Sequence, residues 1–203
     1  MSQTKAELLA GRDSPLSFPS GNGTSGQYLQ GDGSGALSWQ TVAVPETWTD
    51  AGQTNFSGTD VTVTNSNFAT ATIIKIVFAS MSTNSTTSAN MLLQVGNGSI
   101  STTSYYWGLG DRQYAEGADN ASGIRITGNN FGGNAAYTFD GQITIMSSGS
   151  FINVVHQVNT RGVGGWYPTH GTAIWAGGST IDRFRFSPAA GSFDNGHFSV
   201  YYG

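Results

Sequence analysis

The clearest strand signal in the chain is the stretch Phe139-Asp140-Gly141-Gln142-Ile143-Thr144-Ile145. A phenylalanine precedes an Asp-Gly turn signal, and isoleucines then alternate with a polar residue. Such alternation places every second side chain on the same face of a sheet. The same pattern recurs in Val61-Thr62-Val63, Ile124-Arg125-Ile126 and Phe184-Arg185-Phe186. It predicts half-buried strands rather than helices.

Working outward from this stretch, eight segments have strand character, and each is bounded by Gly, Asn, Ser or Pro. They are 59–64, 72–80, 90–95, 123–127, 137–146, 151–158, 181–186 and 197–202. Strands at this spacing predict an all-β fold, an antiparallel β-sandwich or jelly roll. We expect this domain to span residues 47–203, which is long enough to bury a core.

The composition supports an all-β chain with many turns. Gly, Ser, Thr and Asn account for 90 of the 203 residues, and charged residues for only 10%, against roughly 25% in typical soluble domains. Aromatic residues make up 12% and the net charge is −4, which argues against intrinsic disorder. Small, uncharged residues of this kind favour turns between short strands.

The same numbers exclude several classes of protein. Lys and Arg total 8, too few for the basic stripe of a nucleic-acid-binding surface. The longest apolar run, over 73–79, is interrupted by Lys75 and is far shorter than the roughly 20 residues of a membrane span. The first residues lack the regions of a secretory signal, and there is no cysteine. We therefore expect no nucleic acid, no membrane insertion and no cofactor.

Residues 1–46 differ from the rest of the chain. Thr4 and Glu7 fit a capping box and Gly11 fits a helix stop, so the sequence predicts a short helix over 4–10. A helix of about two turns is not stable alone in water. Its Leu8 and Leu9 must pack against another surface, so we expect this segment to anchor the chain.

A hairpin is expected after this helix, around the turn signal at 31–35. Apolar side chains flank that signal in a segment otherwise typical of a flexible linker. A short hairpin with one apolar face needs a covering partner, and a second copy of the chain is the obvious one. The expected assembly contacts of residues 1–46 are Leu8, Leu9, Phe18, Tyr28, Leu29, Leu37 and Trp39.

The densest polar cluster of the chain contains Asp111, Glu116 and Asp119. It is compatible with a carboxylate pair or a calcium loop, but its spacing matches no calcium motif, and a solvated connecting loop is the simpler interpretation. His156 and His197 fall in predicted strands, and no His pair has metal-ligand spacing. We expect no catalytic residue, no metal site and no enzyme activity.

Aromatic and glycine-rich stretches are the better candidates for function, and we expect them to be loops. Large rigid side chains can fill the ends of a sandwich, line a subunit interface, or stack against sugar rings. All three interpretations stay open for these stretches. The candidate ligand or interface residues are Tyr105, Tyr106, Trp107, Trp166, Tyr167, His170 and Trp175.

Two stretches resemble bacteriophage virion proteins. Residues 23–39 have the form Gly-x-x-Gly-Gln-x-Leu, a Gly-rich turn, then Leu-x-Trp, which is similar to a motif of phage fibre proteins. Residues 181–203 resemble the closing strands of a jelly-roll domain in such proteins, although His197-Phe198 stand where that family has a small residue and then Ile. The opening Met1-Ser2-Gln3-Thr4-Lys5-Ala6 is similar to fibre-like proteins of marine and cyanobacterial phages.

This resemblance implies a structural protein located in the virion, a homotrimeric tail fibre or receptor-contacting appendage. Residues 1–46 would attach it to other virion proteins and make the trimer, and the jelly roll would project, with a host surface glycan as a candidate ligand. A capsid decoration protein or head fibre is the alternative. A tail-associated glycan-degrading enzyme is a third, and it would need two carboxylates across a groove.

Overall fold

The computed structural model of the chain describes residues 17–25, 27–31, 33–41, 47–85, 90–111, 115–127, 137–162 and 165–203. The chain divides into two compact units, Met1–Thr47 and Trp48–Gly203. The predicted helix over 4–10, with Leu8 and Leu9, lies outside the described residues. Within the described ranges, no helix is long and apolar enough to cross a membrane.

The first unit contains the predicted hairpin, which is confirmed. Strands β1 (Gln27–Gly31) and β2 (Leu37–Thr41) pair antiparallel, with Leu29 opposite Trp39. The indole Nε1 of Trp39 donates a 2.8 Å hydrogen bond to the carbonyl O of Gly21. Its ring lies so close to Gly23 that a Cβ there would approach it to 2.6 Å. The tryptophan thus fixes the chain that leads into the hairpin.

The second unit is built of antiparallel strands. They are β3 (Thr49–Asn55), β4 (Val61–Thr64), β5 (Ile73–Thr83), β6 (Met91–Asn97), β7 (Ser99–Ile100), β8 (Tyr105–Asp111), β9 (Ala115–Ala121), β10 (Ile124–Arg125), β11 (Thr138–Ser147), β12 (Ile152–Gly162), β13 (Gly165–Trp175), β14 (Arg183–Pro188) and β15 (Phe193–Tyr202). One turn of 3₁₀ helix, Ser66–Ala69, lies between β4 and β5.

The strands form two sheets in jelly-roll order. The five-stranded sheet has the order β10-β6-β14-β4, with β7 paired to β6, and the eight-stranded sheet has the order β3-β15-β5-β11-β12-β13-β8-β9. Following the chain from β4, the strands β4, β6, β10 and β14 belong to the first sheet, and β5, β8, β9 and β11 to the second. This alternation is the double Greek key of a jelly roll, so the predicted fold class is confirmed.

Two additions widen the eight-stranded sheet beyond a plain jelly roll. The hairpin of β12 and β13 is inserted between β11 and β8, and β15 with β3 extends the other edge beyond β5. The β12–β13 pair keeps an unbroken register from Ile152 opposite Trp175 to Gly162 opposite Gly165. Because side chains alternate along each strand, this hairpin presents one full row to the core and one to the outside.

The core between the sheets is a cluster of phenylalanines. Phe186 lies with its ring centroid 5.3 Å from that of Phe56 and 5.5 Å from that of Phe198, and Phe184 packs edge-on against it at 5.8 Å. Phe184, Phe186 and Phe198 are fully buried. The alternation Phe184-Arg185-Phe186 therefore marks a strand with one face in the core, as the sequence predicts.

Candidate functional site

The aromatic stretches expected to be loops are strands. Tyr105, Tyr106 and Trp107 belong to β8, and Trp166, Tyr167, His170 and Trp175 belong to β13, so the loop prediction is wrong. The error has a physical reason. The inward positions of β13 include Thr169, Gly171 and Ala173, which are small or polar, and the outward ones include Pro168 and His170. No apolar alternation is left to mark the strand.

Two of the candidate residues are core residues. Tyr105 is fully buried, and its hydroxyl is 2.8 Å from the backbone N of Val95, from which it accepts, and 2.9 Å from the Val95 carbonyl, to which it donates. Burial raises the pKa of Tyr105 to about 12. Trp175 is 4% exposed and its ring centroid lies 6.5 Å from that of Tyr105. Tyr105 therefore joins β8 to β6 across the sandwich and offers no ring face to a ligand.

The other candidates are divided between the two faces of the sheet. Trp107 on β8 points inward and is half-buried, with the guanidinium of Arg125 5.1 Å from its ring centroid. Tyr167 on β13 also points inward and is half-buried. Tyr106, Trp166 and His170 point outward and are exposed. The structure thus brings no single aromatic site together from the predicted set, but it places three of its members on one outer surface.

That outer surface is apolar. In the described part of Trp48–Gly203 the large hydrophobic side chains that remain exposed beyond Trp48 are Val77, Tyr106, Phe151, Val155, Trp166 and Ile174. All lie on or beside β5, β8, β12 and β13, at outward positions of the eight-stranded sheet. We call these six side chains the apolar face. Three of them, Tyr106, Val155 and Ile174, line one groove, and exposed apolar surface of this kind marks an interaction site.

A shallow groove of about 520 Å³ crosses the apolar face. Its lining includes Tyr106, Met146, Asn153, Val155, Thr172 and Ile174. The register explains the grouping, because Met146, Asn153, Ile174 and Tyr106 stand opposite one another across four strands. Among the described residues that line the groove none is charged, so we expect its occupant to be recognised by shape and apolar contact.

The outer side of the five-stranded sheet is different, because it carries paired charges. The guanidinium of Arg183 donates to the Asp182 carboxylate through Nε at 2.7 Å and a second nitrogen at 2.9 Å, and this bond lowers the pKa of Asp182 to about 2. Arg185 donates to Gln94 at 2.8 Å and lies 3.7 Å from Asp60. The outer side of the five-stranded sheet therefore differs from the groove, whose described lining residues are uncharged.

The carboxylates that the enzyme hypothesis needs belong to β8 and β9. Asp111 lies at the end of β8, and Glu116 and Asp119 lie in β9, but their side chains fall outside the described part of the molecule. Among the side chains that the structure describes, no group of three or more His, Asp or Glu could hold a metal ion.

His156 is a buried strand residue whose burial the sequence could have revealed. It lies on β12 between Val154 and Val158 on the inward row, and it is 2% exposed. Its ring packs against Gly171, the residue opposite it on β13, where a Cβ would collide with the imidazole. Neither ring nitrogen has a hydrogen-bond partner. Burial, and after it the neighbouring His170, lower the pKa of His156 from 6.5 to about 4.

Of the expected assembly contacts of the first unit, three are exposed. Phe18 is 59% exposed, Tyr28 46% and Leu29 38%, while Leu37 and Trp39 are half-buried. An apolar hairpin of two strands is marginal without a covering partner. The exposure of these side chains fits the expectation of a contact surface.

Comparison with protein families, with curated proteins and with solved structures finds no match to this chain.

Proposed function

We propose that this chain is a structural protein of a bacteriophage virion, a tail fibre or receptor-contacting appendage that acts by binding rather than by catalysis. The observation that carries the proposal is the apolar face, whose large hydrophobic side chains are exposed in the described part of Trp48–Gly203. The motif of residues 23–39, most of which lies in the β1–β2 hairpin, supports a phage fibre in particular. In this proposal copies of the chain associate as a homotrimer through the apolar face rather than through residues 1–46.

A second copy of the chain is the occupant that the charges favour. The groove is lined by uncharged residues, whereas the opposite sheet carries Arg183, Arg185 and Asp60. The free energy of burying an uncharged surface is most favourable against another uncharged surface, because no ion then has to lose its hydration without a partner. Subunit interfaces are enriched in the aromatic and aliphatic residues found here and depleted in charge.

The first unit has a separate role in this proposal. Its exposed Phe18, Tyr28 and Leu29 contact other virion proteins and tie the assembly to the particle. An appendage that associates with itself and also attaches to other proteins needs two kinds of interface on one chain.

We expect Val155→Asp to convert the oligomer to monomers. Val155 lies on the apolar face with Thr144 and Thr172 opposite it, so an interface there would bury the new carboxylate unpaired. Light scattering of the purified full-length protein measures the native mass. The matched control is Thr62→Asp, at an exposed position of β4 on the other sheet, which should leave the mass unchanged. A monomeric wild type, or an unchanged mass for Val155→Asp, contradicts association through this face.

Antibodies against the full-length protein test the virion assignment. If the proposal holds, gold-labelled antibodies bind purified particles of the phage that encodes the chain, at the tail for a fibre. Labelling spread over the head favours the decoration protein or head fibre instead. Particles without label, when the same antibodies detect the protein in infected cells, contradict a virion role.

A further inference from the structure

We propose that the cleft between the loops 97–101 and 176–180 binds a neutral saccharide unit. This cleft lies at one end of the sandwich and has a volume of about 470 Å³, within the roughly 300–1,000 Å³ of small-molecule sites. The inference deepens the binding role proposed above and depends on that role for its biological setting.

The lining chemistry carries the choice of ligand. The polar side chains of the cleft are Asn97, Ser99, Ser101, Ser179 and Thr180, with Trp175 as its apolar wall. Hydroxyl and amide groups both donate and accept hydrogen bonds, which matches the paired donor and acceptor character of sugar hydroxyls. No charged residue lines the cleft, so an anionic ligand would lose its hydration without gaining a cation.

Both loops are held in place before any ligand arrives. The Asn97 amide nitrogen donates to the Thr180 hydroxyl at 2.9 Å and joins the two loops. The backbone N of Gly98 donates to Asp182 at 3.1 Å, and the Ser147 hydroxyl donates to the Ser179 carbonyl at 2.7 Å. A preformed site loses less entropy on binding. These bonds therefore favour a built cleft rather than a chance gap between loops.

Trp175 closes the wall of the cleft. Its side chain is 4% exposed, and the loop 176–180 lies directly against its indole. Residue 177 is a glycine, and a Cβ there would lie 2.5 Å from Cε2 and 2.6 Å from Nε1 of the ring. Glycine therefore lets this loop pack on the indole and gives the cleft a firm apolar wall.

The test measures saccharide binding by the full-length protein and two cleft variants. An array of neutral oligosaccharides with their sialylated counterparts identifies a binder, and titration calorimetry gives its Kd, with lactose, N,N′-diacetylchitobiose and maltotriose as soluble probes. We expect a neutral glycan to bind, and Thr180→Val and Asn97→Asp each to weaken it at least about tenfold, since the first removes a hydroxyl and the second replaces an amide donor by a carboxylate. The matched control, Asn55→Asp at an exposed position of β3, should bind like the wild type.

Two outcomes overturn the inference: no neutral glycan binds, or both cleft variants bind as tightly as the wild type. A circular dichroism spectrum and a melting curve like those of the wild type show that the variants are folded. The result is separable from the assembly proposal, because Val155→Asp should lose the oligomer and keep the Kd of each subunit. An unchanged native mass for Val155→Asp, with saccharide binding intact, contradicts only the proposed interface.

Discussion

Phe186→Ala should lower the free energy of unfolding by about 3–5 kcal/mol, the usual cost of truncating a buried phenylalanine. Phe186 is fully buried on β14, and four other phenylalanine rings surround it, those of Phe56, Phe78, Phe184 and Phe198. The truncation removes apolar contacts from both sheets at once, and the rigid strands around it cannot collapse into the space. Urea unfolding at pH 7, at fixed protein concentration, measures the loss.

Two comparisons make this result interpretable. Phe186→Leu keeps most of the volume and should cost less than the alanine variant. Thr62→Ala, at an exposed position of the neighbouring strand β4, should change the free energy of unfolding by no more than about 0.5–1 kcal/mol. If Phe186→Ala were as stable as Thr62→Ala, the phenylalanine cluster would contribute little to the free energy of unfolding.

Lowering the pH from 7 to 4 should cost the protein about 3 kcal/mol through His156 alone. Its pKa is about 4 in the folded protein against 6.5 for a free histidine, and each unit of difference is worth about 1.4 kcal/mol. The unfolded chain therefore binds the proton first, and stability is lost as the pH falls through this window. The neutral ring can stay buried, whereas the charged ring has no partner for either nitrogen.

The variant His156→Val isolates this contribution from other acid effects. Valine continues the inward row of Val154 and Val158 and does not titrate. The difference in unfolding free energy between pH 7 and pH 4 should be about 3 kcal/mol smaller in this variant than in the wild type. His197→Gln, an exposed histidine on β15, serves as the matched control and should keep the wild-type difference. Equal losses in the wild type and His156→Val would contradict a buried neutral histidine.

The sequence predicts the strands whose two faces differ in polarity. Ile143 and Ile145 point to the core and Thr144 points outward, so β11 is visible as an alternation, and the same holds for β14. The hairpin β1–β2 is visible because its apolar residues flank a glycine-rich turn. Where one row of a strand is small or polar, as in β13, alternation vanishes and glycine suggests a loop instead.

The candidate site is less visible because it depends on pairing between distant segments. Met146 and Tyr106 line one groove although β12 and β13 lie between their strands. The cleft depends on Asn97 and Thr180, which no local pattern connects. Tyr105 and Trp175 carry the aromatic signal expected of a binding loop, and their burial follows from the sandwich around them. Residue type therefore singles out these aromatic side chains, but it does not predict whether they face the core or the solvent.

The position of β15 has a consequence for the order in which the molecule folds during its synthesis. β15 follows every other strand along the chain, yet it pairs with both β3 and β5 inside the eight-stranded sheet. Until it emerges from the ribosome, β3 has no neighbour in that sheet and β5 has one unpaired edge. Open edges of this kind pair readily with other chains. The nascent protein must therefore hold an unfinished sheet, and β15 is the strand that pairs the open edge of β5.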